Sequence, residues 1–148
     1  MKWLLDTNVV SESARDHPTR AVIEWVRAKP IDDLAISIVT IAELRDGAQS
    51  NPDETRRRRL VEWIETQVSN AFGTRTLELT ANILGDWLQL SRRLRSKGIV
   101  RDAADMLIAA TARVHGLTLV TRNTRHFADT GVVIYDPWSG KTHAMDAP

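Results

Sequence analysis

Four polar positions, far apart in the chain, carry the residue types that divalent-metal chemistry needs. Asp6 ends the apolar run Trp3-Leu4-Leu5 and is followed by Thr7-Asn8. Glu43 sits in Thr40-Ile41-Ala42-Glu43-Leu44, Asp105 opens Asp105-Met106-Leu107-Ile108, and Asn123 closes Thr121-Arg122-Asn123. A buried strand ending at Asp6 delivers a carboxylate to its C-terminal tip, and in open parallel α/β sheets ligands bind beyond that end. Carboxylates brought together repel, and they take up protons unless a cation stands among them. A hard divalent ion removes that cost, and Mg²⁺ needs few protein oxygens because it keeps several waters. A water acidified by such an ion is a nucleophile, and the ion also stabilises charge on phosphoryl oxygens. The chemistry expected of this set is metal-dependent phosphodiester hydrolysis.

The rest of the composition narrows the choice. With no cysteine, disulfides, thiolate nucleophiles and Cys-zinc sites are excluded. His17, His115, His126 and His143 have no metal-ligand spacing, so oxygen must dominate any site, which favours Mg²⁺ or Mn²⁺ over zinc. Twenty Lys and Arg against nineteen Asp and Glu give a net charge of +1, not the balance of a dedicated duplex-DNA binder. At 148 residues the chain is one domain with room for a full core. Its N-terminal apolar run is too short for a signal peptide and no run reaches transmembrane length, so no membrane association is expected and the expected location is cytoplasmic.

Positioning the four residues requires alternating strands and helices. Lys2–Leu5 and Leu34–Ile36 read as strands, Ser11–Arg15 as a helical turn and Thr19–Lys29 as a helix. Ser37 is placed to cap a helix over Ile38–Gln49, and Asn51-Pro52-Asp53-Glu54 reads as the start of one reaching about Ser69, with Asn51 as cap. Arg75–Leu79 is a weak strand. Thr80 caps Ala81–Lys97, and Asp102–His115 is apolar nearly all round, as buried helices are. Leu117–Val120 and Val132–Tyr135 complete the strands. This order implies a parallel sheet covered on both faces.

In sequence, Leu4-Leu5-Asp6-Thr7-Asn8-Val9-Val10-Ser11-Glu12, Ser37-Ile38-Val39-Thr40-Ile41-Ala42-Glu43-Leu44, Ala104-Asp105-Met106-Leu107-Ile108-Ala109-Ala110-Thr111-Ala112, His115-Gly116-Leu117-Thr118-Leu119-Val120-Thr121-Arg122-Asn123 and Asp136-Pro137-Trp138 resemble the PIN-domain ribonucleases of VapBC and FitAB toxin–antitoxin pairs. The resemblance implies a three-layer α/β/α PIN-like domain over residues 1–138, with a central parallel five-stranded sheet and a flexible tail, residues 139–148. It implies that Asp6 and Asp105 are metal ligands for Mg²⁺ (or Mn²⁺), that Glu43 ligates directly or through water, and that Asn123 takes the fourth position. It further implies an RNA substrate, a homodimer, and a small antitoxin partner through which operator DNA is reached. Thr7 and Thr121 put hydroxyls beside the acids, and Arg101, Arg122 and Arg125 lie in loops bordering the pocket, where cations guide a single strand by its phosphates. Many relatives carry an acid where this chain has His126, which leaves two readings: a more weakly held ion, or a histidine that contacts substrate.

Other readings stand beside these. Asp6 is also a natural turn cap, Glu43 a solvated helix residue, Asp102 a helix cap and Asn123 a left-handed turn residue. Arg56–Arg59 point in four directions on a helix and make no stripe. Trp25, Trp63 and Trp87 suit a core or an interface, and Trp138 a plug at the sheet end. A phosphatase of the haloacid-dehalogenase type also places Asp after its first strand, as Asp-x-Asp-x-Thr, but Asn8 and Val10 match only half of that pattern. A PIN domain that has lost catalysis and only binds RNA or a protein is the non-enzymatic alternative.

Overall fold

In the computed structural model, which describes all 148 residues, Trp3–Leu5 forms β1 in the interior of the sheet, paired in parallel with β2 (Leu34–Ser37) on one side and β4 (Thr118–Val120) on the other. Beyond β2 lies β3 (Thr76–Leu77), and beyond β4 lies β5 (Val133–Asp136), both parallel. β6 (Lys141–Ala144) then pairs antiparallel with β5, giving the order β3-β2-β1-β4-β5-β6. The sheet is therefore mixed and six-stranded, not the parallel five-stranded one expected. The difference lies in the segment that reads as a frayed tail: Lys-Thr-His-Ala has no apolar alternation and joins the sheet through backbone pairing at its edge.

The helices cover both faces, as the pleat dictates. Successive strand residues point to opposite sides. Leu4, Ala35, Leu119 and Ile134 enter one core with α6 (Ala81–Ser96) and α7 (Ala103–His115). Leu5, Ile36 and Val120 enter the other, with α1 (Thr7–Glu12), α2 (Arg20–Arg27), α3 (Ile38–Gln49), α4 (Glu54–Trp63) and α5 (Ser69–Phe72). No helix is long and apolar enough to cross a membrane.

Capping decides where the site-bearing helices begin. Ser37 accepts from the Val39 amide, so α3 starts directly at the end of β2. Asp102 accepts from the Ala104 and Asp105 amides and starts α7. Asp6 accepts from the Thr7 amide, so α1 begins at once, ahead of the helical turn expected at Ser11–Arg15. At α4 Asp53, not Asn51, is the cap: its carboxylate takes the Arg56 amide, while Asn51 takes that of Asp53. A wider turn at Ile64–Val68 then separates α4 from α5.

Candidate metal and active site

β1 and β4 end side by side, and the residues just past their tips build the site. Asp6 is 4% exposed. One of its carboxylate oxygens takes the Thr7 amide at 2.8 Å, and the other takes the Thr121 hydroxyl at 2.6 Å and the Asn8 amide nitrogen at 3.2 Å. Thr121, fully buried, accepts in turn from Asn8 at 3.1 Å and from the backbone N–H of Asn123 at 3.0 Å. Asn8 spends its carbonyl on the Arg122 amide at 3.3 Å. Asn8 therefore ties β1, α1 and the loop after β4 together. Its only sequence signal is its place two residues after Asp6, where short amides commonly bond local backbone.

α3 and α7 bring the other acids. Glu43, half-buried, takes the Thr7 hydroxyl at 2.6 Å. Asp105 lies in the first turn of α7, and its carboxylate meets Nδ1 of His126 at 3.0 Å.

Electrostatics shows that these groups share one field. Burial pushes the Asp6 carboxyl above its ordinary value and Asp105 adds repulsion, while Thr121, Thr7 and His126 pull it back. Burial raises Glu43 as well, with added repulsion from Asp6 and Asp102 against the pull of Thr7. Asp105 is raised by burial, by Asp102 and by Glu43, while His126 opposes. No three His, Asp or Glu side chains close into a ready-made chelate. The donors these acids offer are carboxylate oxygens whose charged forms burial disfavours. That fits Mg²⁺, which binds through one or two carboxylates and keeps several waters.

The remaining expected residues divide. Thr7 and Thr121 stand within the acid network. Asn123 contributes only its backbone N–H to that network, and its side chain is exposed and makes no hydrogen bond there. Arg122 and Arg125 are exposed on the loop after β4, Arg122 with its guanidinium carbon 5.5 Å from the Trp138 ring centroid. Arg101 is turned elsewhere: it faces Asp129 at 3.9 Å and lines a separate cavity beside Trp87. Its place in the loop before α7 does not bring its charge to the acids. A cleft of about 340 Å³ opens from Thr7 and Glu43 between α1, α3 and α4, past Arg15 and Arg56 over a floor of Leu44, Leu60 and Trp63.

The raised Glu43 carboxyl has a measurable consequence. An acid whose folded-state pKa is raised contributes stability below its unfolded pKa and loses it as pH rises through the folded value. In chelator, Glu43→Gln is expected to melt above the wild type near neutral pH, with the gap closing as pH falls below the ordinary glutamate value of about 4.3, where the carboxyl is protonated in folded and unfolded chains alike. Thermal denaturation across that range reads the gap directly, and a pH-independent gap contradicts the assignment.

A PIN-domain family profile matches residues 3–133. The chain belongs to the PIN-domain family. Among relatives of this PIN domain, VapC ribonuclease Y4jK of Sinorhizobium fredii is 37% identical over 135 residues, covering 91% of this chain and 96% of that protein. Toxin FitB of Neisseria gonorrhoeae is 34% identical over 135 residues, with 91% and 97% covered. The crystal structure of FitAcB from Neisseria gonorrhoeae superposes on the PIN domain with a TM-score of 0.85 at 34% identity, covering 92% of this chain and 98% of that one. In a phosphatase of the rival type the position of Asn8 would hold a second acid. In this PIN domain it holds an amide already bonded to Asp6, Thr121 and Arg122.

Proposed function

We propose that this PIN domain is a Mg²⁺- or Mn²⁺-dependent endoribonuclease, the toxin of a type II toxin–antitoxin pair acting in the cytoplasm. The observation that carries the reading is the placement of Asp6, Glu43 and Asp105, acids from three distant segments held by Thr121, Thr7 and His126, on a fold shared with VapC and FitB proteins. Asp6 and Asp105 are the residues that would hold the ion, and Glu43 would join directly or through water. When bound, the ion supplies an acidified water and charge stabilisation at the scissile phosphate.

The chain's own groups do the rest. Thr121 fixes the Asp6 carboxylate, and Thr7 fixes that of Glu43. Nδ1 of His126 holds the Asp105 carboxylate at 3.0 Å. Arg122 and Arg125 give the approaching phosphates a cationic rim, and the Asn123 backbone completes the polar shell through Thr121. The inhibiting partner is a small antitoxin that covers the acid-lined opening and carries the operator-DNA contact; the toxin itself forms a homodimer.

Incubation of the protein with structured RNA tests the reading. Cleavage is expected in Mg²⁺ or Mn²⁺, loss to background in EDTA, and recovery with excess ion. Cleavage indifferent to EDTA overturns the metal assignment, and RNA binding without cleavage in either ion supports the non-catalytic alternative. Thr121→Val is expected to lower the cleavage rate about 10- to 100-fold, the usual range for a group that orients a metal ligand. Single-turnover kinetics with an undiminished rate would remove that role.

A further inference from the structure

The geometry points to a nucleobase-stacking platform made by Arg122 and Trp138 at the rim of the acid site. This inference rests on the ribonuclease reading and adds to it how a base of the RNA strand is seated.

The pair is held from both sides. The Arg122 backbone is pinned by Asn8, and Arg122 directly follows Thr121, whose hydroxyl binds Asp6. The Thr121 amide donates to the Tyr135 carbonyl at 3.0 Å, which brings the turn after β5 to the same end of the sheet. In that turn Asp136 takes the Trp138 amide at 2.9 Å and the Ser139 hydroxyl at 2.8 Å, and its carbonyl takes the Gly140 amide at 2.8 Å. Pro137 is buried, and Trp138 is half-buried against the core that contains Leu5 and Val120. The indole N–H is buried and has no hydrogen-bond partner in the protein.

The guanidinium carbon of Arg122 lies 5.5 Å from the centre of that ring, within cation–π range of tryptophan, the best aromatic partner. Unlike Arg45, Arg56 and Arg113, Arg122 makes no ion pair, and it is exposed. A guanidinium placed over an aromatic ring has a planar face that a second flat group can stack on and edge donors that suit phosphate. Proteins that bind unpaired RNA stack bases on aromatic rings and on guanidinium planes in this way. Every base has such a face, so the platform is tolerant of sequence and requires an unpaired nucleotide. The Arg122 backbone, one residue from Thr121, puts the platform on the loop that supports Asp6.

The test uses fluorescein-labelled decaadenylate and an abasic decamer of equal charge, bound in EDTA so that no cleavage intervenes and followed by anisotropy. Wild type is expected to bind decaadenylate roughly tenfold more tightly than the abasic strand, the scale of one stacked base. Arg122→Ala and Arg122→Lys should lose that preference, the lysine because it keeps charge without a planar face. Trp138→Phe should retain most of it, with folding checked by circular dichroism. Equal binding of both strands by wild type, no binding of either, or a lysine variant as selective as wild type overturns the platform. Mg²⁺-dependent cleavage of total RNA, run in parallel, separates the two ideas. Cleavage without base preference removes only the platform, whereas base preference without cleavage removes the ribonuclease reading and leaves a base-binding surface.

Discussion

Asp6→Asn and Asp105→Asn are each expected to lower RNA cleavage by more than about 100-fold, beyond the 10- to 100-fold typical of groups that merely orient a metal ligand. Each substitution keeps shape and removes one negative charge from a field in which the carboxyls already repel one another. In the Asp6→Asn protein the new side-chain amide would still offer an oxygen to the Thr7 N–H, so the start of α1 should survive. Affinity for RNA in chelator should hold or rise, because a charge that repels phosphate is gone. The double variant should be little worse than either single one, since residues that act as a unit lose their effect together. Single-turnover cleavage in Mg²⁺ with anisotropy in EDTA reads both quantities. A single variant within tenfold of wild type would take that residue out of the site.

The second large effect concerns stability. Phe127→Ala is expected to cost about 3–5 kcal/mol, the range for emptying a buried aromatic site. Phe127 has no exposed surface and packs in the core with Leu4, Met106, Leu119 and Ile134. It ends the short turn Thr124–Phe127 that also carries His126, and its carbonyl takes the Thr130 hydroxyl at 2.6 Å. For a chain of this size the cost corresponds to a fall in Tm of roughly 10 °C. The cavity should also loosen the loop that supplies the Asn123 N–H to Thr121. Calorimetry showing a fall below about 3 °C would place Phe127 outside the cooperative core.

How much of this was legible in the sequence depends on where the determining chemistry lies. The helix Ile38–Gln49 is found as expected because Ser37, the residue that starts it, is a strong local cap. The interior strands were legible because burial on two faces demands uninterrupted apolar runs. β6 was hidden because the edge strand Lys141–Ala144 is held by backbone pairing, which leaves no hydrophobic pattern. Asn51 and Asp53 compete for one cap within three residues, and only the geometry shows that Asp53 takes it.

The sequence offered the acids by type and position, and α3, α7 and the C-terminal end of the central strand β1 carry Glu43, Asp105 and Asp6 into one electrostatic neighbourhood. The amide network was not legible. Asn8 bonds Thr121 across 113 positions of sequence, a contact that exists only once β1 and β4 lie side by side. Arg101 misled because its distance along the chain from Asp105 is short, while its side chain is drawn toward Asp129.

Anomalous X-ray scattering from crystals soaked in Mn²⁺ bears most directly on the union of these three segments. The expected result is a Mn²⁺ peak coordinated by oxygens of Asp6 and Asp105, reached by Glu43 directly or through water, and absent from the Asp6→Asn protein. Saturating Mn²⁺ with no peak among these side chains, or a peak that persists unchanged in Asp6→Asn, would contradict it.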